Sequence, residues 1–271
     1  METTTKTTKH FEFTGETKEL DTGITLHRIR ATVETIHAHI GDIGGWVEKP
    51  DNLCDNAWVF DNACVSGNAK VYGEARVSGG AFVYGVARVS GNAHVYGDAR
   101  VFGNACVSGN ACVSDKARVF GNACVSGKTY VTDYACVYGY ACVSGDACVY
   151  DNAHVSGDAE IYDNARVFGY AHVSGDAEIY DNAHVSGNAH VSGNARVFSD
   201  NDHCGFDSFG SDTIHTHAYR TTNGIEIVSG SFRGSLDEFV AKIKETYCDS
   251  EYEKQYELII RLIKLKFNLP D

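Results

Sequence analysis

The sequence predicts an all-β solenoid, a parallel β-helix of about eight triangular coils. Three observations carry that prediction. Between Ala57 and Phe198 a branched aliphatic returns every sixth residue, from Val59 to Val197, with Ile161 and Ile179 as the variants. An alanine stands two residues before each, broken only at Thr129. The unit A-x-V-x-G-N/D occurs 24 times without an insertion. A six-residue unit cannot bury its apolar side alone and must stack on its neighbours.

The geometry follows from the unit. Alternate side chains of an extended strand point the same way, so alanine and valine share the inner face. Glycine and Asn/Asp supply backbone that turns, because both tolerate positive φ. Three sides make a coil of eighteen residues. Stacking at ~4.8 Å gives a body about 38 Å long.

Segments flank the repeat at both ends, so the domains are expected at 1–56, 57–198, a linker at 199–211, and 212–271. Residues 1–56 begin with a Thr/Lys run. GITLHRIRATVETIHAHI then reads as two short strands, and Gly44-Gly45-Trp46 closes the first coil or offers a ligand platform. After the linker, TIHTHAYRTTNGIEIVSGSF reads as a hairpin with a type I′ turn at Asn223-Gly224. Two helices follow, each with a capping box: Ser235 with Glu238, and Ser250 with Glu253. The last helix is apolar on two faces, Tyr252/Tyr256/Ile259/Ile260/Ile263 and Leu258/Leu262/Leu265. That predicts burial of most of its surface against the coil end or a partner chain.

Composition excludes some functions. Net charge is −13 and no basic stripe runs along the repeat, which argues against nucleic-acid binding. No apolar run approaches the ~20 residues of a membrane span, and METTTKTTKHFEF lacks the apolar stretch of a signal peptide. Ten cysteines in such a chain predict free thiols and a cytoplasmic location.

Residues eighteen apart should stack in columns on the outer walls. His154, His172 and His190 form one column, flanked by Ser156, Ser174 and Ser192. Neighbouring imidazoles are candidate ligands for zinc, set against an exposed ladder left by repeat duplication. Cys106, Cys124 and Cys142 form another column, read as small packed thiols. Arg100-Phe102 above Arg118-Phe120 makes a stacked patch suited to an anionic planar ligand.

The units VSGNAHVSGNARV and VYGDARVFGNACV resemble the hexapeptide-repeat family of left-handed parallel β-helices, which contains bacterial acyltransferases and γ-class carbonic anhydrases. The resemblance covers residues 57–198. The glycine here lies two residues after the aliphatic, whereas the family commonly places it one after. With GDIGGWVE and the hairpin-plus-helix tail, the chain looks most like bacterial and prophage-encoded members. That resemblance implies a left-handed coil and a trimer, with zinc or coenzyme A as the groups such relatives use. Acyl transfer would need a histidine base, and His94, His154, His172, His184 and His190 are the candidates. No loop interrupts the walls to enclose a donor, and loops are where such function sits. Outward threonine columns, which ice binding would need, are missing. The reading favoured is a non-enzymatic binding or structural protein that needs no cofactor, assembles as a homo-oligomer and has a protein as a second possible partner.

Overall fold

The computed structural model describes residues 9–210 and 214–270. The repeat is a parallel β-solenoid of about eight turns, each turn contributing one short strand to each of three sheets. The chain divides into two compact units, residues 1–139 and 140–271.

Every repeat contributes a strand of two residues, an outward residue followed by the aliphatic, as in Cys64–Val65 and Phe82–Val83. The alanines and aliphatics are buried throughout. Each inward valine contributes about 1.5–3 kcal/mol of burial relative to an exposed one. The ladder between coils is regular: the Cys64 amide donates to the Ala81 carbonyl at 2.9 Å, and the Ser66 amide to Val83 at 3.0 Å. Corners are closed locally, with the Ala63 amide donating to the Phe60 carbonyl at 3.1 Å.

From Val59 to Val191 the corner residue two after each aliphatic has positive φ. It is glycine at most corners and aspartate at others, including Asp61, Asp115, Asp133, Asp151, Asp163 and Asp181. At Gly67 a side chain is doubly disfavoured, because φ is +65° and an added Cβ would stand 3.0 Å from the Gly85 carbonyl one coil on.

Unit 1 opens with three strands rather than the two expected. Phe11–Glu19 pairs antiparallel with Thr25–Ala31, and Thr25–Ala31 with Ile43–Val47. The second strand expected within TVETIHAHI does not form, since the Thr35 hydroxyl accepts from the amides of His37 and Ala38 and turns the chain there. Ile43–Val47 joins the solenoid in parallel, Trp46 opposite Cys64 and Val47 opposite Val65. Gly44 and Gly45 permit this crossing: a Cβ at Gly44 would lie 2.7 Å from the Val59 carbonyl, and one at Gly45 would lie 2.7 Å from the Ala63 carbonyl. The Thr/Lys run lies outside the described residues.

Unit 2 carries the later rungs and a four-stranded antiparallel sheet in sequence order: His203–Phe209, Ile214–Thr221, Gly224–Ser229 and Phe232–Ser235. The expected linker is therefore a strand over His203–Phe209, held by pairing that places Cys204 opposite Ala218. Residues 211–213, where that linker ends, lie outside the described residues. The hairpin loop is Thr222-Asn223, with Thr221 opposite Gly224. Positive φ occurs only at Gly224, so the turn is not type I′. The Thr221 hydroxyl closes it instead, accepting from the Asn223 amide and donating to the Gly224 carbonyl.

Helix α1 (Leu236–Tyr247) has the full Ser235/Glu238 capping box. Helix α2 (Glu251–Phe267) has half of one: Ser250 accepts from the Glu253 amide, but the Glu253 carboxylate takes the Asp249 amide at 2.7 Å. The two helices and the sheet enclose a core of Phe239, Ile243, Tyr256, Ile259, Ile263, Ala218 and Ile227. The second apolar face of α2 stays uncovered by the described residues, with Leu265 75% exposed and Leu258 and Leu262 also exposed. One α-helix on one sheet buries one stripe, so the expected burial of most of its surface is not met within the chain.

Candidate functional site

The outer wall of unit 1 is built by the residues on either side of the buried valines. Before them stand Cys64, Phe82, Arg100, Arg118 and Cys136, paired in register one coil apart. After them stand Ser66, Tyr84, Phe102, Phe120 and Tyr138. The four rings stack at centroid distances of 4.9, 4.9 and 5.0 Å, within 3° of parallel. That spacing is the separation of neighbouring strands, so the backbone sets the stack. The ring planes therefore look along the column, and their edges look outward beside the exposed guanidinium groups of Arg100 and Arg118.

Two depressions adjoin these arginines. A shallow groove of about 290 Å³ is lined by Gly80, Phe82, Asp98, Arg100, Lys116 and Arg118, three of them cationic. A second cleft of about 380 Å³ forms where the tip of the first hairpin, Leu20 to Ile24, overhangs Ser66, Phe82, Tyr84 and Arg100. The residues expected to bind a planar anion, Arg100, Phe102, Arg118 and Phe120, thus stand together. Sequence reasoning missed Tyr84, Phe82 and the hairpin tip. Counting eighteens from the residue after each valine finds Tyr84 and Tyr138; nothing in the sequence places the tip.

In unit 2 the histidine column is present. His154 and His172 stack at 4.8 Å, and His172 and His190 at 4.9 Å and 3°. Parallel stacked rings carry their nitrogens side by side and do not converge on a tetrahedral centre, so the three do not fit a shared zinc. Among the described residues the one convergent trio is Cys248, Asp249 and Glu253. The Glu253 carboxylate already accepts from the Asp249 amide, and the charge of Asp249 raises the Cys248 pKa, which disfavours a thiolate ligand. Burial, then the neighbouring imidazoles, lowers the pKa of His172. The column ends near His217, whose ring lies 6.3 Å from His190. His217 is 6% exposed, its Nε2 has no hydrogen-bond partner among the described residues, and burial pushes its pKa down to about 4. Beside it, His215 Nδ1 lies 2.7 Å from Asp207 Oδ1.

The other candidate bases are scattered. His94 Nε2 lies 2.9 Å from the Ser78 hydroxyl, but burial, then Arg76 and His37, hold its pKa at about 4, which makes it a weak base. His184 pairs with Asp200 at 3.2 Å. Cys106 and Cys124 are register partners, burial raises the Cys106 thiol, and none of the ten cysteines is in a disulfide. Cys142 pairs with Glu160. Lys18 Nζ and Arg28 Cζ each lie 5.1 Å from the Trp46 ring, so cations of the N-terminal strands engage it, which fits the closing role.

This architecture defines a β-solenoid repeat protein. A family model described as the YdcK beta solenoid repeat matches residues 159–175. No curated protein matches the chain. No helix of the described residues is long and apolar enough to cross a membrane.

Proposed function

We propose that this chain is a non-enzymatic binding protein whose unit 1 wall, carrying Arg100, Phe102, Arg118 and Phe120, takes a planar anionic ligand. The observation that supports it is the ring column beside two exposed guanidinium groups. Guanidinium forks suit carboxylate or phosphate oxygens, and aromatic edges carry partial positive charge that also favours an anion. Acyl transfer gains no comparable support, because His94 and His184 stand apart from the stacked His154, His172 and His190 and no loop inserted in the repeat encloses a donor. Neither zinc nor coenzyme A is needed for binding.

Assembly as a homo-oligomer, a trimer by resemblance, and a cytoplasmic location belong to the same proposal. Native mass spectrometry reads the oligomer directly. Isothermal titration of aromatic carboxylates and phosphates tests the binding site. Saturable binding that falls at least tenfold in Arg100→Ala/Arg118→Ala supports the reading. Equal binding by that variant contradicts it.

A further inference from the structure

The ring column has a gap at its start. Tyr84, Phe102, Phe120 and Tyr138 occupy successive coils, but the equivalent position one coil before Tyr84 is Ser66. One face of Tyr84 lies against Phe102 at 4.9 Å; the other looks toward the coil of Ser66. Serine carries no ring, and Ser66 and Tyr84 both line the cleft beside the hairpin tip. The hairpin tip roofs this position with Leu20 and Ile24, enclosing the cleft of about 380 Å³. That volume holds a small ring system with its substituents.

We infer that this cleft is a binding subsite for a flat-ring anion, whose ring takes the missing place in the stack against Tyr84 and whose carboxylate or phosphate pairs with Arg100. The inference rests on the planar-anion reading of the wall and names where the ring goes. Its chemistry is set by three neighbours. Tyr84 offers an open aromatic face, and offset stacking adds about 0.5–1.5 kcal/mol beyond area burial. Arg100, on the rung beside Phe102, supplies the cation. Asp21, at the tip, lines the opposite side and favours a hydrogen-bond donor on the ligand's far edge. A ring with an anion at one end and a hydroxyl at the other meets all three. Serine recurs in this column at Ser156, Ser174 and Ser192; what sets Ser66 apart is the hairpin tip beside it, which makes a cleft of what is elsewhere open wall.

The test is an NMR titration of the full chain with three ligands: 4-hydroxybenzoate, trans-4-hydroxycyclohexanecarboxylate and 4-hydroxybenzamide. They separate flatness from charge. The first is expected to bind at least tenfold more tightly than either of the others. Ser66→Phe, which fills the gap with a protein ring, is expected to lose that binding at least tenfold without lowering the melting temperature. Tyr84→Leu keeps the bulk, removes the aromatic face and is expected to lose it as well. Arg88→Ala, exposed on another sheet, is expected to bind as the parent does. Unchanged binding in Ser66→Phe and Tyr84→Leu overturns the subsite. Binding lost in Arg118→Ala but retained in Ser66→Phe overturns the subsite and leaves the wall reading standing. No saturable binding of a flat anion by the parent chain overturns both.

Discussion

The backbone amide of Gly79 donates to Oδ2 of Asp61, eighteen residues earlier, at 3.1 Å. The same bond links Gly73 to Asp55 at 3.0 Å and Gly169 to Asp151 at 3.1 Å. These aspartates occupy the left-handed corner that glycine fills elsewhere; φ is 51° at Asp61. Aspartate tolerates that conformation better than most residues, and its carboxylate adds a bond to the next coil. Replacing Asp61 by alanine should therefore cost about 1–3 kcal/mol, combining the left-handed penalty with one lost hydrogen bond. Glycine at the same place should cost less. Urea denaturation of the two variants checks the order.

Thr129 interrupts the alanine column at a fully buried position, and its hydroxyl has no hydrogen-bond partner among the described residues. An unmet buried hydroxyl costs about 1–3 kcal/mol. Thr129→Val keeps the shape and removes the polar atom, so it should raise stability by about 1 kcal/mol, measured by thermal and urea melts.

Val125 is buried in the solenoid interior, where a carboxylate would find no cation to pair with. Val125→Asp should abolish the cooperative melt of unit 1. A retained cooperative transition would contradict the inward placement of the valines.

Acid should weaken the fold through its buried histidines. His217 has an ordinary pKa of 6.5, pushed down to about 4 by burial. Between these values the unfolded chain binds a proton that the folded chain excludes, so stability is complete above about pH 6.5 and is lost as pH falls toward 4. The contribution of His217 is on the order of 3 kcal/mol from the linkage of pKa to stability. His94 shifts in the same direction and adds to the slope. Urea midpoints at pH 7.5 and pH 5 measure it, and His217→Leu should flatten the dependence.

Deleting residues 235–271 removes both helices from the core that contains Ala218 and Ile227. The exposed sheet should aggregate and bind an apolar dye. A soluble, monodisperse product would contradict the covering role of the helices. Leu262→Gln, on the uncovered face of α2, should leave the stability of the isolated chain unchanged within ~0.5 kcal/mol.

The repeat was legible because period and burial coincide: each Ala and Val of the six-residue unit faces inward, and nothing interrupts the count. The arginine and phenylalanine cluster was legible for the same reason, since register follows from eighteen residues per coil. The cleft was not, because its roof at Leu20–Ile24 lies some sixty residues from Tyr84 and no periodicity links the two. The strand over His203–Phe209 was hidden by its Gly, Asp and Ser content, which reads as a loop until the pairing with Ile214–Thr221 is seen. His217 was overlooked because its isolation depends on the sheet packing around it. The histidine column was visible in sequence, but the parallel stacking that denies it a shared metal is a property of the rungs.

The most direct test of the central claim follows the aromatic ring signals of Tyr84, Phe102 and Phe120 by carbon-detected NMR during addition of 4-hydroxybenzoate. Saturable shifts that are largest at Tyr84 and diminish toward Phe120 are the predicted result. Shifts absent from all three rings at saturating ligand would contradict the assignment of this wall as the binding face.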